Sequence, residues 1–242
     1  MSGRTGPRAK GGELPLYVRL SERLIREISA GHLADGSRLP PERELAVALN
    51  TSVGTLRKAL ADLAEKGLLE RIQGSGNYIR YRPDVGSVYS LFRLERPQGG
   101  GLPTADILSV ESDLPLPDAC PLPGPSGHRI RRLRKLESEP VALEEIWLDG
   151  GVAAALDAAA LSESLYLYYR DALGIVIARV EDQIGLGTVP DWRVEGFRPS
   201  VGETCAYVER TGWSDHGRLV EFSRPWFDNE KSRYVSRLGK GV

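Results

Sequence analysis

The stretch Arg38-Leu-Pro-Pro-Glu-Arg-Glu-Leu-Ala46, followed by Thr51-Ser-Val-Gly-Thr-Leu-Arg57 and then by Gln73-Gly-Ser-Gly76, decides the reading of this 242-residue chain. Pro41 suits a helix start, where a missing N–H costs nothing, and Glu42 and Glu44 follow in the positively polarised first turn. Leu45, Ala48 and Leu49 give that short helix an apolar face. Ser52 is a good N-cap for the next helix, whose stripe Leu56, Ala59, Leu60 and Leu63 recurs at helical spacing, and Gly67 supplies a left-handed stop. Upstream, Tyr17, Leu20, Leu24 and Ile28 predict an amphipathic helix from Leu16 to about Ser29. Downstream, Leu69–Ile72 and Asn77–Arg80 read as strands flanking the glycine tip. Three helices and a hairpin make residues 14–80 a winged helix-turn-helix.

Such a fold brings one helix to the DNA major groove, with its N-terminal residues at the base edges. Here those residues are Ser52, Val53, Gly54, Thr55 and Arg57. Arg57 lies off the leucine stripe and is therefore expected at the surface, where it can clamp a guanine or a phosphate. The Ser52 and Thr55 hydroxyls suit phosphate oxygens, and Gly54 permits close backbone approach. Arg38 and Arg43 flank the groove reader. At the wing, Gln73, Gly74, Ser75 and Gly76 can offer amide donors to phosphates and the minor groove. Each residue alone has a plain explanation: a solvated arginine, a turn glycine, an arginine paired with a nearby glutamate. Their joint spacing points to an operator in double-stranded DNA.

Charge agrees. Residues 1–82 hold 14 Lys and Arg against 9 Asp and Glu, a balance of +5, while the remainder carries −6. A positive segment is what a polyanionic partner requires. No apolar run approaches the ~20 residues that span a membrane, and MSGRTGPRAKGGE at the start lacks a signal peptide's apolar core. Residues 1–13 read as a disordered arm. Two cysteines, Cys120 and Cys205, fit a reducing cytoplasm. His32, His128 and His216 are scattered without metal-ligand spacing, so no metal or cofactor is expected.

After a linker at 81–86, residues 87–242 read as an α+β domain on an antiparallel sheet. Residues 97–125 hold 7 of the 16 prolines and Gly99-Gly-Gly101, which predicts irregular chain with one strand at Ala105–Val110. Ile130–Leu136 and Val141–Leu148 read as paired strands around Glu137-Ser-Glu-Pro140. Val152–Leu156 and Ser164–Ala172 look helical, and Ile175–Ile184, Thr204–Thr211 and Leu219–Trp226 look like strands. A lone winged helix reads only a half-site, so this second domain is expected to form a homodimer and to sense a ligand. Arg132 and Arg134 alternate onto one strand face, where they either converge on a phosphate or carboxylate or simply face solvent and pair with Glu137 and Glu139. Glu144-Glu145 is either an acid–base pair or a surface pair.

The run Leu39-Pro-Pro-Glu-Arg-Glu-Leu-Ala46, Ser52-x-x-Thr-Leu-Arg-x-Ala-Leu60, Gly67-Leu-Leu69 and Gly74-x-Gly76 resembles the GntR family of bacterial winged-helix transcription regulators. The resemblance implies DNA contacts at Arg43, Ser52, Thr55, Arg57, Gln73 and Gly74. Arg132-Leu-Arg134, Pro140-Val-Ala-Leu-Glu144, Ser164-Leu-Tyr166 and Glu221-Phe-Ser223 look like the UTRA effector domain of HutC-type members, a chorismate lyase-like fold that binds small molecules. This implies Arg132, Arg134 and Ser164 at the anionic end of an effector, with Glu144, Leu165, Tyr166, Arg179, Glu221 and Phe227 around it. Phe227 stands where sugar-phosphate sensors tend to carry tyrosine, and Asp228-Asn-Glu-Lys231 departs from the usual Arg-Gly-Asp-Arg-like ending. The expectation is a homodimeric regulator, a repressor more often than an activator, controlled by a small anion. An enzyme lacks a convincing nucleophile, base or metal cluster here, and the all-helical metal-binding GntR architecture conflicts with the strand-like alternation.

Overall fold

The structure, a computed structural model, describes residues 13–82 and 87–237. The arm expected over 1–13 lies outside the described residues except for Glu13, as do residues 83–86 of the expected linker. The chain divides into two compact units: Leu14–Leu102 together with the segment beginning at Tyr234, and Pro103–Arg233. The division between these compact units falls at 102/103 and 233/234.

The first unit holds α1 (Leu16–Ser29), α2 (Glu42–Ala48), α3 (Val53–Glu65), β1 (Leu69–Ile72), β2 (Gly76–Ile79) and β3 (Leu94–Glu95). Leu56, Ala59, Leu60 and Leu63 of α3 are wholly buried against Leu20, Leu24 and Ile28 of α1 and against Ile79. On α2 the second buried residue is Ala46; Ala48, expected on the apolar face, is exposed. The helix is short and its apolar side runs Leu45–Ala46, then Leu49, one residue off the expected phase. β1 and β2 pair antiparallel, Leu69 facing Ile79 and Ile72 facing Gly76. Gly67 takes φ 73° after α3, the left-handed conformation that ends a helix.

The second unit is a six-stranded antiparallel sheet with a helix on one face. It comprises β4 (Pro103–Pro115), β5 (Ser126–Leu136), β6 (Glu139–Asp149), α4 (Leu165–Leu173), β7 (Ile177–Thr188), β8 (Thr204–Ser214) and β9 (Leu219–Phe227), ordered β4-β5-β6-β9-β8-β7. β4 is 13 residues long where a short strand in irregular chain was expected. Its prolines lie at its two ends and it is an edge strand, where a missing ladder donor is tolerated. Glu137 and Ser138 both take positive φ, 50° and 72°, closing the β5–β6 hairpin tightly. Val152–Leu156, expected helical, is not. Short 3-10 turns at Gly150–Val152 and Ala158–Ala160 bracket it, each held by an aspartate side chain accepting a local N–H, Asp149 from Gly151 and Asp157 from Ala159. Such local bonds compete with a helix. α4 lies against Ile130, Ile146 and Leu148, while the opposite sheet face packs Leu133, Leu143, Phe197, Cys205 and Trp226. Last, β10 (Arg233–Tyr234) pairs with β3.

Candidate DNA-reading surface and effector site

At the start of α3, the Ser52 hydroxyl accepts the Thr55 N–H at 3.1 Å and lies 2.9 Å from the Thr55 hydroxyl. This cap fixes both hydroxyls at the exposed helix end. Val53 packs partly against the core, and Gly54 is exposed, where a Cβ would meet the Ser52 hydroxyl oxygen at an ordinary 3.8 Å. Arg57 is indeed at the surface, its side chain 66% exposed, and its Nε donates to Glu42 Oε2 at 2.6 Å. Arg43 is exposed on the neighbouring helix.

The wing lies close by. Arg38, Pro41, Glu42, Gln73, Gly74 and Gly76 line one cleft of about 440 Å³. Gly76 makes this possible, since a Cβ there would stand 3.0 Å from Arg38 Nε. Gly74, at φ 75°, has open space around it, and the Ser75 hydroxyl bonds to Tyr78 at 2.7 Å. Glu42 joins the two halves, because it lines the cleft and holds Arg57. Arg71, which sequence reasoning missed, also lines this cleft; its place two residues before the wing tip was the available signal.

In the second unit the four arginines of 129–134 divide by parity. Arg129 pairs with Glu111 and Arg131 with Glu145 on one face, Arg131 lying over the Trp192 ring. Arg132 and Arg134 occupy the other face and are buried rather than facing solvent. Glu144 sits between them, its Oε2 2.6 Å from Arg132 Nη2 and its Oε1 3.5 Å from Arg134 Nε. Both guanidiniums also donate to the Glu163 carbonyl, directly before Ser164. Ser164 caps α4, its hydroxyl accepting the Leu167 N–H. Burial alone would raise the Glu144 pKa; Arg132 and Arg134 outweigh it and hold the carboxyl below its usual range. Glu145 is likewise buried, and Arg224 and Arg131 hold it low, so Glu144-Glu145 is not a surface pair.

On this same face, Tyr166 donates its hydroxyl to Glu221 Oε1 at 2.8 Å. Burial raises the Glu221 pKa despite hydrogen bonds from Tyr166 and Tyr169 and the nearby charges of Arg210 and Arg132. Leu165 and Phe227 are buried, Phe227 directly across from Ala142, which faces Arg134. Arg179 is not part of this group. It pairs across β7–β8 with Trp213, stacks on that ring at 4.1 Å, bonds Glu181 and stays 62% exposed. A register shift between Ile177 and Arg179 turns it to the opposite face. The Asp228–Lys231 departure forms a turn, with Arg198 forked onto the buried Asp228 at 2.9 Å.

A winged helix-turn-helix followed by an antiparallel-sheet domain with a helix-covered buried face defines a class of two-part transcription regulators. Residues 16–79 match the gntR family of bacterial regulatory proteins and residues 121–233 match the UTRA domain. The chain is 51% identical over 230 residues to the HTH-type transcriptional regulator SmoD of Agrobacterium fabrum, covering 94% of this chain and 98% of that one. It is 26% identical to the mannosyl-D-glycerate transport/metabolism system repressor MngR of Escherichia coli, covering 93% and 96%. The crystal structure of the regulator YydK from Bacillus subtilis has the same fold, with TM-score 0.53, 20% identity and coverage of 93% and 100%. The chain belongs to the gntR family, with a DNA-binding helix-turn-helix and a UTRA effector domain of the HutC type; these relatives are transcriptional regulators, not enzymes. Among the described residues no helix is long and apolar enough to cross a membrane.

Proposed function

We propose that this chain is a homodimeric repressor of bacterial transcription, acting in the cytoplasm, whose operator affinity a small anionic metabolite controls. Arg38, Arg43, Ser52, Val53, Gly54, Thr55, Arg57 and the 73–76 wing form the DNA-reading surface. Arg132, Arg134 and Ser164 take the anion, with Glu144, Leu165, Tyr166, Glu221 and Phe227 around it.

The observation that carries the effector reading is the buried guanidinium pair with one carboxylate lodged between them. Two buried positive charges gathered around one shared carboxylate are expensive to maintain for stability alone. Glu144 stands in the place of an external anion. An incoming phosphate or carboxylate would share those forks and gain the backbone donors at the start of the nine-residue α4, which Ser164 caps. Binding there would bias α4, and a coupling of about 1–3 kcal/mol suffices for 5–150-fold changes in operator affinity. The ligand must favour one state over the other for any shift to follow.

The test is DNA binding by fluorescence anisotropy with duplexes from upstream of the chain's own gene, with and without a panel of anionic metabolites. Binding should weaken steeply with salt. Arg132→Ala should keep DNA affinity and lose the metabolite response. A full response in that variant would refute the effector site, and salt-insensitive binding would refute the DNA surface.

A further inference from the structure

The N-terminal unit holds a cavity of about 350 Å³ that the DNA-reading surface does not use. The residues lining it all belong to that unit. Its walls include the C-terminal half of α1, Tyr81 and Arg82 after the wing hairpin, the stretch from Ser87 to Glu95, and Val235 to Arg237, where the chain returns from the sheet domain. Protein interiors leave few voids larger than a water molecule, so a cavity of this size needs an explanation. Small-molecule sites span about 300–1,000 Å³.

Two kinds of surface meet in it. Ile25, Ile28 and Leu68, all buried, give it an apolar side together with the rings of Phe92 and Tyr81. Arg26, Arg82, Arg93 and Arg237 give it a cationic side, against Glu95, the single carboxylate among the described lining residues. Glu95 is already engaged. Arg237 forks onto it, Nη1 at 2.6 Å and Nη2 at 2.9 Å, and the Gly100 N–H donates to it at 3.1 Å. Burial would raise the Glu95 pKa, but Arg237, the Gly100 N–H and the nearby Arg26 outweigh it and keep the carboxyl ionised. Main-chain carbonyls orient the other arginines: Arg26 donates to Leu94 and Gly101, Arg82 to Gly67 at 3.1 Å, and Arg93 to Ser90 at 2.9 Å. A carbonyl fixes a guanidinium without neutralising it. Arg82 donates there through Nε and Arg93 through Nη1, so each keeps further N–H groups, and among the described residues neither meets a carboxylate. This excess of positive charge selects an anion, and the planar forks match a carboxylate. The apolar side favours a ligand with a hydrocarbon body, since each CH₂ buried there adds about 4-fold in affinity.

We propose that this cavity is a second small-molecule site, for an organic acid with a compact apolar body. The carboxylate sits at Arg82 and Arg93, and the aliphatic or aryl body lies against Ile25, Ile28 and Leu68. The site is independent of the anion site at Arg132 and Arg134, which lies in the other unit. An acid held in the cavity links the segment after the wing hairpin to the two segments that lead to and from the sheet domain.

The experiment titrates the full chain by calorimetry with phenylacetate, cyclohexanecarboxylate and 4-methylpentanoate, each against acetate and against its own amide. At least one acid should bind about 10-fold or more tightly than both of its controls. Methyl NMR on the same samples should place the shifts at Ile25, Ile28 and Leu68 rather than at Ile130, Ile146 and Leu165 around α4. Arg82 is exposed and Arg93 half-buried, so Arg82→Met and Arg93→Met leave the core intact. Combined, they should lower the affinity about 10-fold. No binding by any of the three acids, equal binding of every acid and its controls, methyl shifts confined to the sheet domain, or unchanged affinity in the double variant overturns the proposal. The anion site is tested separately by Arg132→Ala, as described above, so the two readings fail independently.

Discussion

In the free protein Arg57 is engaged by Glu42, and that pair makes the DNA-reading surface testable in quantity. The pair is 2.6 Å long, yet the arginine side chain is 66% and the glutamate 27% exposed. Exposed pairs of this kind contribute about 0–1 kcal/mol, so Arg57 can leave Glu42 at little cost. A bidentate guanine contact returns about 1–3 kcal/mol of discrimination. Arg57→Ala should therefore weaken operator binding by about 5- to 150-fold, at 1.4 kcal/mol per factor of ten. Glu42→Gln should tighten it by up to about 5-fold, because it frees the arginine and removes a carboxylate from the cleft facing the phosphates. In the double variant the second effect should shrink, since part of it acts through Arg57. Both variants should fold with stability within about 0.5 kcal/mol of the parent, since neither side chain is buried. Anisotropy titrations at several salt concentrations read all of this. A fall of about one in the salt slope of Arg57→Ala assigns the contact to a phosphate, and an unchanged slope assigns it to a base. Unchanged operator affinity in Arg57→Ala, at every salt concentration, would refute the reasoning.

Ser52→Ala removes the α3 cap and should cost about 1 kcal/mol of stability, seen as a lower urea midpoint; a midpoint equal to the parent's would contradict the capping role. Glu144→Ala leaves Arg132 and Arg134 buried without their carboxylate and should destabilise by about 3–5 kcal/mol, partly restored by millimolar inorganic phosphate; no restoration would argue against the anion site. Acid should destabilise the chain through Glu95, Glu144, Glu145 and Asp228, whose folded pKa values are all lowered. Their contribution is present above the unfolded carboxylate pKa and disappears as pH falls through the folded values. Glu221, raised instead, acts in the opposite sense: its contribution is present below the unfolded pKa and is lost as pH rises through the folded one. Urea midpoints from pH 7 to pH 3 should therefore fall, and Glu221→Gln should steepen the fall; a flatter profile in that variant would contradict the assignment.

Where periodicity was strong, local sequence and structure coincide. α1 runs from Leu16 to Ser29 and α3 buries the four expected residues, because one repeating stripe determines the buried side of a helix. Turn chemistry was equally readable at Gly67 and at 73–76. The errors share a cause. Proline content suggested irregular chain at β4, but only neighbouring strands show that its prolines fall at the ends of an edge strand. Alternation alone gives two faces without saying which is which, and the shift between Ile177 and Arg179 reverses the answer for Arg179. The ion pair of Arg210 with Asp182 was illegible for the same reason, since residues 28 apart in sequence meet only once β7 and β8 are in register. Arg132 and Arg134 were placed on one face correctly; their partner Glu144 comes from the facing strand, so the residues alone offered it as a neighbour of Glu145 and the family resemblance put it near the effector.

The chain leaves the N-terminal unit after Leu102 and returns to it at Tyr234, where Val235 bonds the Arg93 carbonyl and Arg237 forks onto Glu95. During synthesis the groove reader is made first, yet the guanidinium that Glu95 needs is translated only after the whole sensing sheet. At about 5–20 residues per second the ribosome takes on the order of ten seconds to cover that gap. A nascent or prematurely terminated chain thus leaves Glu95 beside Arg26 but without the Arg237 fork, and completion of the N-terminal unit is tied to completion of the polypeptide.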